Sequence, residues 1–528
     1  MLCPGLLRRL LALLWLWAGS ASAGRGGRVL VMPVDGSHWL SMKLLVNELA
    51  VRGHEVVVLV PETSLLIEGS EKLPYRTETF AVPYTRAGLA QSIDWLKEGI
   101  FYKSPVLTDL SVNVQRLLNF TGTQVRGCEA LLYNGPTMQQ LRRRSFDLLL
   151  TDPFLPCGAI IAASLSLPAV YFLRGMPCGL DTQALQCPSP PSFVPRFQSG
   201  STDRMNFGQR VKNLVMSVVE LQLCRIMYAQ FDELASRYLG QEVTYRELIG
   251  RGAIWLLRYD FTFEYPRPVM PNMVFIGGIN CARAQSLPED LEEFVEGSGE
   301  HGFVVFTLGS MVSSMPPEKA AEVFKAFSRI PQRVMWRYTG PVPDHVPENV
   351  KLMKWLPQND LLAHPKARAF ITHGGTHGIY EGICNGVPMV MLPLFGDQGD
   401  NVHRVASRGV GIVLSIYDIT AETLLEALDK VINDSSYSSK MKKLSGIHND
   451  RPIEPLDLAV YWTEFVMRHK GADHLRPAAH HLNWVQYHSL DVMGFLLVVV
   501  VTVALIIIKC CSLCLRQCCG RLRKTKVE

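Results

Sequence analysis

One stretch of the chain, residues 355–398, combines glycines, histidines and acidic side chains with short apolar runs. Two strand-like runs, 369–372 and 388–392, flank the sequence HGGTHGIYE, which places 373–376 in a turn between a strand and a helix. We predict that this helix covers 377–385. A helix that begins after glycines exposes unpaired backbone N–H groups and the positive end of its dipole, so the turn is suited to hold a diphosphate.

Side chains around this turn have the chemistry that the rest of a nucleotide sugar needs. Trp355 offers a flat apolar face for a base, Gln358 offers an amide, and Glu381 accepts hydrogen bonds from ribose hydroxyls. Asp397 and Gln398 follow the next strand, where a hexose would extend from the diphosphate. The other predicted donor-site residues are Ser310, His373, Gly375, Thr376, His377 and Gly378. The alternative, a glycine turn in an ordinary α/β core, explains HGG alone but not the full ordered set.

A second group of residues suits acid–base chemistry. His38, in DGSHW, follows the first predicted strand at 28–32, and an imidazole has a pKa near neutrality, as a general base requires. Asp152, in LTDPF, follows the strand predicted at 146–151 and is the candidate partner that would hold the tautomer of His38. From the residues alone, a capping histidine and a capping aspartate remain the commoner explanation.

As a whole, residues 355–398 resemble the donor-site signature of UDP-glycosyltransferases, and nearly the whole chain resembles vertebrate UDP-glucuronosyltransferases of family 1, the bilirubin- and phenol-conjugating type. The resemblance implies that His38 is the catalytic base and that Asp152 is its partner. It also implies inverting transfer of glucuronic acid to hydroxyl groups of small lipophilic acceptors, such as phenols, steroids and bilirubin-like compounds. UDP-glucuronic acid would be a co-substrate, with no further cofactor.

Three further expectations concern the donor. No Asp-x-Asp pair occurs in the sequence, so we expect no metal, and the helix dipole and side chains would carry the leaving charge. Arg258 matches an arginine near the domain junction of glucuronosyltransferases and is the expected partner of the donor carboxylate, with Arg337 as a rival. Because His377 stands where many relatives carry asparagine, glucose, xylose and N-acetylglucosamine remain alternative donor sugars. A non-catalytic membrane protein that binds lipophiles or modulates a partner is an alternative of another class.

Alternating strand and helix patterns predict an α/β protein with two doubly wound parallel sheets. A strand–helix–strand pattern covers 28–60, and 146–151 and 169–173 are predicted as later strands of the same sheet. The pattern restarts at 303–308 after an acidic, glycine-containing linker at 281–302. Two facing Rossmann-like domains form the GT-B arrangement, which the resemblance also implies. The irregular region 61–145 suits either an apolar acceptor cleft or ordinary helical packing. The predicted divisions of the body are an N-terminal acceptor-binding domain at 24–283, a C-terminal UDP-sugar-binding domain at 284–450, and a helical segment returning to the first domain at 451–490.

The two ends of the chain are targeting elements. Residues 1–23 read as a signal peptide, and 491–508 as a single transmembrane helix followed by a basic cytosolic tail at 509–528. Lys524 and Lys526 resemble a dilysine retrieval signal, so we expect a type I protein of the endoplasmic reticulum membrane with a lumenal catalytic body. The net charge of +5 is spread without a basic stripe and does not suggest nucleic-acid binding. The resemblance also implies homo- or hetero-oligomers with related transferases.

The cysteines and sequons give weaker signals. The chain has 13 cysteines, and those of the lumenal body match no zinc pattern. We expect most of them to be buried free thiols, with Cys178 and Cys187 as the pair close enough in sequence to bridge. Asn119 and Asn433 lie in glycosylation sequons.

Overall fold

The architecture is built on two parallel β-sheets, seen in a computed structural model that describes residues 26–524 except 68–71, 98, 104–105 and 282–283. The predicted signal peptide and Lys526 lie outside the described residues. The chain divides into two compact units, Met1–Leu475 and Arg476–Glu528, and both sheets belong to the first.

The first sheet has seven strands in the order β3-β2-β1-β4-β5-β6-β7, and all neighbouring pairs are parallel. Its central strands are short and mainly apolar; β4 and β5 are fully buried and β1 is buried over its three middle residues, the pattern expected of parallel strands covered on both faces. The seven strands are β1 Arg28–Met32, β2 Glu55–Pro61, β3 Arg76–Phe80, β4 Leu148–Thr151, β5 Ala169–Leu173, β6 Ile254–Leu257 and β7 Met273–Phe275.

The second sheet has six parallel strands in the order β10-β9-β8-β11-β12-β13. In both sheets the chain reverses its winding direction between two neighbouring strands, at β1/β4 and at β8/β11. Such a reversal opens a crevice at the carboxyl ends of those strands, where ligands bind in doubly wound folds. The strands are β8 Phe303–Thr307, β9 Arg333–Arg337, β10 Val350–Met353, β11 Ala367–Thr372, β12 Met389–Met391 and β13 Gly411–Val413.

Helices cover both faces of each sheet, and their apolar sides complete the cores. In the first half they are α1 Ser37–Val51, α2 Arg86–Lys97, α3 Val106–Leu132, α4 Gly135–Arg143, α5 Cys157–Leu165, α6 Leu180–Gln183, α7 Phe207–Leu239 and α8 Tyr245–Ile249. In the second half they are α9 Glu289–Glu296, α10 Pro317–Phe327, α11 Gln358–Ala363, α12 Thr376–Cys384, α13 Gln398–Ser407, α14 Ala421–Asn433 and α15 Ser435–Asn449.

Two terminal segments follow these domains. Helix α16, Pro455–His469, belongs to the first unit and packs against α1 and β6. Its buried side chains Val460 and Val466 lie in the core cluster of the first sheet. The second unit contains α17, Trp484–Tyr487, and α18, Leu490–Lys524. Among the described residues, α7 and α18 are long and apolar enough to cross a membrane; α7 packs against α3, α5 and α8, whereas the apolar stretch of α18 is unburied.

The predicted fold class is confirmed, with two parallel sheets and a C-terminal apolar helix. The description of 61–145 as irregular is wrong, because it contains β3 and the helices α2, α3 and α4. Strand β3, with the sequence RTETF, lies at the sheet edge and has four polar residues out of five, so it lacks the buried apolar run by which the central strands are recognised.

The prediction of mostly free thiols is also wrong. Three disulfides join Cys128 to Cys157, Cys178 to Cys224 and Cys281 to Cys384, and Cys187 is free and buried. Cys178 therefore pairs with α7 and not with its sequence neighbour Cys187. Spacing along the chain could not reveal this, because α7 is brought to Cys178 only by the packing of the first domain.

Candidate active site

The acid–base pair lies at the reversal point of the first sheet. His38 is in the first turn of α1, directly after β1, and Asp152 follows β4, the strand next to β1. His38 Nδ1 is 2.5 Å from Asp152 Oδ2, and Asp152 Oδ1 accepts a hydrogen bond of 2.9 Å from the backbone N–H of Phe154. Asp152 is buried, whereas 19% of the His38 side chain is exposed. A proton on Nδ1 directed at Asp152 leaves the lone pair on Nε2, the form in which a histidine acts as a base.

The glycine turn lies at the reversal point of the second sheet. It connects β11 to α12, and Gly374 has φ +84°. A Cβ at Gly374 would lie 2.4 Å from Val402 Cγ1, so only glycine fits. No side chain caps the N-terminus of α12, which leaves its first amides available to an anion. His373 is half-buried, and desolvation together with nearby Arg174 lowers its pKa to about 4, so the ring is neutral at neutral pH.

The predicted nucleoside residues lie together at one side of this turn. Trp355 is 56% exposed, and the guanidinium of Arg337 lies 5.2 Å from its ring centre. Gln358 Nε2 donates to Glu381 Oε2, while Glu381 Oε1 is 3.2 Å from His377 Nε2. Both carboxylate oxygens of this buried glutamate are therefore engaged by side chains that were predicted to bind the donor. Gly378, in the first turn of α12, leaves room for Phe370 and Gln358 to approach the helix backbone.

The predicted sugar residues begin α13. Asp397 Oδ1 accepts a hydrogen bond of 2.6 Å from Arg174, and Oδ2 accepts one of 2.8 Å from Asn401. Burial opposes ionisation of Asp397, but Arg174, Asn401 and more distant His38 outweigh it and lower its pKa below the usual value. Gln398 Oε1 accepts hydrogen bonds from two backbone amides of the preceding loop, at 2.8 and 3.1 Å, so this oxygen shapes the loop.

Arg174 is a site residue that the sequence analysis missed. It follows β5 directly, at the same sheet edge as Asp152 after the neighbouring strand β4. The available signal was its position at the carboxyl end of a predicted strand, which resembles the positions of His38 and Asp152. Its partner Asp397 belongs to the second sheet's domain, so the pair joins the two halves of the body across the cleft.

The two arginines singled out from the sequence have protein partners in this structure, and the role of either at the donor carboxylate stays a prediction. Arg258 is 2% exposed and donates to Ser41 Oγ and, at 2.6 Å, to Thr376 Oγ1. Burial, with a smaller contribution from Arg174, lowers the pKa of Arg258 to about 10. Its position links α1 to the first residue of α12 from behind the glycine turn.

Arg337 is equally occupied. Its guanidinium donates to the backbone carbonyls of Gly309, Ser310, Val312 and Lys354. Three of these bonds hold the loop after β8, where the half-buried Ser310 lies, and the same guanidinium contacts the ring of Trp355. The arginine thus shapes the loop beside the nucleoside residues.

Other contacts close the cleft or lie beside it. His377 Nδ1 is 3.1 Å from Ser41 Oγ, which joins α12 to α1. The carboxylate of Asp400 accepts hydrogen bonds from the backbone N–H groups of Gln198 and Gly200, so it holds a loop of the first domain.

A half-open cavity of about 1050 Å³ lies between helices α2 and α3 and the loop at residues 311–314. Asn119, on α3, lines it.

Solved structures with the same fold define the class of protein. The chain resembles CalG4, the calicheamicin glycosyltransferase, with a TM-score of 0.56 and 18% identity over 84% of this chain and 99% of that one. It also resembles a UDP-glucosyltransferase from Polygonum tinctorium, with a TM-score of 0.57 and 15% identity over 84% of this chain and 99% of that one. The two facing parallel sheets are those of a GT-B glycosyltransferase.

Sequence relatives then give the family. Residues 27–525 match the model of the family described as UDP-glucoronosyl and UDP-glucosyl transferase, and the chain belongs to this family. It is 54% identical to UDP-glucuronosyltransferase 1A1 of Rattus norvegicus over 94% of this chain and 93% of the relative. It is 54% identical to a UDP-glucuronosyltransferase of Pleuronectes platessa over 89% and 100%, and 51% identical to UDP-glucuronosyltransferase 1A1 of Homo sapiens over 95% and 93%. The resemblance stated from the sequence is confirmed.

Proposed function

We propose that this chain transfers glucuronic acid from UDP-glucuronic acid to hydroxyl groups of small lipophilic acceptors and inverts the anomeric centre. The observation that carries the proposal is the hydrogen bond of 2.5 Å between His38 Nδ1 and Asp152 at the reversal point of the first sheet. The family membership of the chain supports the same activity. The acceptors are phenols, steroids and bilirubin-like compounds, as for the family it resembles.

The chemical step needs one base and one leaving-group site. His38 Nε2 removes the proton of the acceptor hydroxyl as its oxygen attacks the anomeric carbon from the face opposite the diphosphate. The bond between that carbon and the phosphate oxygen breaks, so a β-glucuronide forms and UDP leaves with the electron pair. Asp152 stabilises the imidazolium that results, and such general base catalysis contributes about 10²–10⁴ in rate.

The second domain holds the donor. The uncapped amides of α12 and the hydroxyl of Thr376 take the diphosphate, and Arg258 positions Thr376 from behind. Because His373 is neutral, it contributes hydrogen bonding and no charge. Trp355 and Gln358 take the base and ribose, with His377, Gly375 and Gly378 shaping the turn. No metal is needed in this scheme, because amides and the helix dipole meet the charge of the leaving UDP.

At the ribose, donor binding requires an exchange of partners. Glu381 is engaged by Gln358 and His377 in the ligand-free site. Ribose hydroxyls replace the amide as donors to this carboxylate, so the buried charge of Glu381 keeps hydrogen bonds in both states. At the other end, the carboxylate of Asp397 accepts from hydroxyls of the sugar, and Gln398 keeps the preceding loop in place.

Transfer of another UDP-sugar is the second candidate. It is favoured by one observation: Arg258, the cation predicted to meet the carboxylate, is 2% exposed and bonded to hydroxyls of the chain. UDP-glucose, UDP-xylose and UDP-N-acetylglucosamine are the donors to compare, because they lack the carboxylate of glucuronic acid.

We assign the body to the lumen of the endoplasmic reticulum, anchored by α18 as a type I membrane protein. Three disulfides and exposed sequon asparagines, Asn119 and Asn433, support an oxidising compartment with glycosylation. Homo- or hetero-oligomers with related transferases remain part of the proposal.

The test uses microsomes from cells that express the chain, with each of the four UDP-sugars and a panel of phenols, steroids and bilirubin. Mass spectrometry of the products reads both the sugar and the acceptor. We expect glucuronides from several acceptors and little product from the neutral donors. Glucosides in place of glucuronides would favour the second candidate, and product formed without the chain marks the background of the host cell.

A further inference from the structure

A hexuronate donor carries one feature that the site described so far does not meet, the carboxylate on C5 of the sugar. A buried or half-buried carboxylate requires a cation with free N–H groups. Arg258 is 2% exposed, and two of its guanidinium nitrogens are bonded to the hydroxyls of Ser41 and Thr376. The guanidinium of Arg337 donates hydrogen bonds to backbone carbonyls of the loop after β8 and lies over the ring of Trp355.

Arg174 differs from both. Its side chain is 27% exposed, so its guanidinium borders the open cleft, and its hydrogen bond of 2.6 Å to Asp397 uses one of five N–H groups. Arg174 follows β5, whereas Asp397 begins α13, so the pair spans the cleft at the end where the sugar lies. Asp397 keeps its second oxygen on Asn401, which fixes the carboxylate on its own helix.

The arrangement of groups on the sugar ring relates the position of Asp397 to that of Arg174. The C4 hydroxyl and the C5 carboxylate of a hexuronate are on neighbouring ring carbons. An aspartate that accepts from the hydroxyl therefore places the sugar carboxylate beside whatever cation that aspartate contacts. We propose that Arg174 is the residue that recognises the carboxylate of the donor and thereby selects UDP-glucuronic acid over UDP-glucose. This inference rests on the proposed function and names a specificity residue for it.

Donor binding would change the partners of both Arg174 and Asp397. Without donor, Arg174 and Asp397 neutralise each other across the cleft. With donor, Arg174 turns its paired N–H groups to the carboxylate, a geometry that a guanidinium provides and an ammonium does not. Asp397 exchanges the arginine for a sugar hydroxyl. A neutral hexose supplies the hydroxyl but no anion. It therefore separates Arg174 from Asp397 and leaves the charge of Arg174 without an anionic partner.

The experiment measures equilibrium binding of UDP-glucuronic acid, UDP-glucose and UDP to the full chain in detergent, by displacement of labelled UDP. The variants are Arg174→Gln, which removes the charge, and Arg174→Lys, which keeps it. Arg143→Gln, on the exposed face of α4, is the matched control. We expect Arg174→Gln to lower the preference for UDP-glucuronic acid over UDP-glucose by about 10- to 100-fold, the strength of a charge-assisted hydrogen bond.

The remaining variants sharpen the result. Arg174→Lys should lose part of the preference, while Arg143→Gln should keep all of it, and UDP should bind every folded variant with similar affinity because it has no sugar. Equal weakening of both donors, or an unchanged preference, overturns the assignment. Selective binding that depends on Arg174, without glucuronide formation from any acceptor by the wild-type chain, would count against the proposed function and leave the carboxylate site standing.

Discussion

Protonation states of individual side chains decide what the cleft can do. His38 has a buried carboxylate on Nδ1, whereas His373 is half-buried without one and its pKa falls to about 4. The first ring can therefore accept a proton and be stabilised as a cation, but the second stays neutral throughout the physiological range. Two histidines that follow strands at the two reversal points thus have different surroundings.

The role of His38 is tested by His38→Ala. Transfer to a phenol should fall by about 10²–10⁴, because the base is lost. UDP affinity should stay unchanged, because the glycine turn belongs to the other domain. The control is His345→Ala, at an exposed loop position. Turnover of His38→Ala at the wild-type rate, at matched protein level, would exclude the mechanism.

A pH dependence of stability follows from Glu220, on α7. Burial raises its pKa to about 7, although its Oε1 accepts a hydrogen bond of 3.2 Å from the amide of Gly179. The folded chain therefore binds a proton that the unfolded chain has released between about pH 4.5 and 7, and stability falls as pH rises through this window. Above it the loss is complete, at most about 3 kcal/mol.

Glu220→Gln should remove this loss. The variant should melt at a higher temperature than the wild type at pH 8 and show little advantage at pH 4.5. Differential scanning of the detergent-solubilised chain at several pH values measures the effect. Glu233→Gln, exposed on the same helix, is the control. An equal pH slope in wild type and Glu220→Gln would contradict the prediction.

Strand ends, more than helices, determine where the chemistry lies. His38, Asp152 and Arg174 follow β1, β4 and β5, and the glycine turn follows β11. Parallel pairing brings these ends to one edge of each sheet, and the reversal of winding leaves a crevice there. The turn before α12 tolerates little change, since a Cβ at Gly374 would lie 2.4 Å from a side-chain carbon of Val402.

Gly374→Ala tests that element. The added Cβ would collide with Val402, and φ +84° disfavours any L residue, so we expect a loss of about 1–3 kcal/mol in stability and weaker UDP binding by about tenfold. Gly446→Ala is the control, because a Cβ on this glycine of α15 meets nothing within 4 Å. Calorimetry and UDP titration report both effects. Unaltered UDP affinity in Gly374→Ala would show that the turn does not hold the diphosphate.

At the scale of the whole molecule, contacts between the halves of the body coincide with the site. Arg258 joins α1 to α12, Arg174 joins β5 to α13, and Asp400 holds a loop of the first domain. The contacts that join the two halves therefore involve the same side chains as the proposed donor site. The apolar helix α18 follows as a separate unit.

The proposed topology makes a prediction for intact vesicles. Protease added to sealed microsomes should remove only the tail beyond about residue 509, because the body is enclosed and α18 spans the bilayer. After detergent, the body should be digested as well. An antibody against the body reads the fragment sizes, and a lumenal resident protein controls for sealing. Digestion of the body in sealed vesicles would reverse the orientation.

Several strands and the glycine turn could be predicted from the sequence, because they depend on the pattern of apolar and polar residues close together along the chain. Buried apolar runs such as β1 and β5 agree with the structure to the residue, and the glycine turn was placed between the correct strand and helix. Edge strand β3 was not predicted, because its mostly polar sequence has no clear alternation of apolar and polar residues. The long helices α3 and α7 were not predicted, because they pack against each other and against other helices, and the local sequence pattern does not show this packing.

The sequence by itself predicted the central strands of both sheets, the glycine turn between β11 and α12, and a set of candidate side chains at the ends of those strands. Only the tertiary structure decided which of these meet. It buried Arg258 behind Thr376, brought Arg174 to Asp397 across the cleft, and paired Cys178 with Cys224. The physical reason is that strand and helix patterns arise from neighbours along the chain, whereas charge pairs and disulfides depend on how separate elements pack in space.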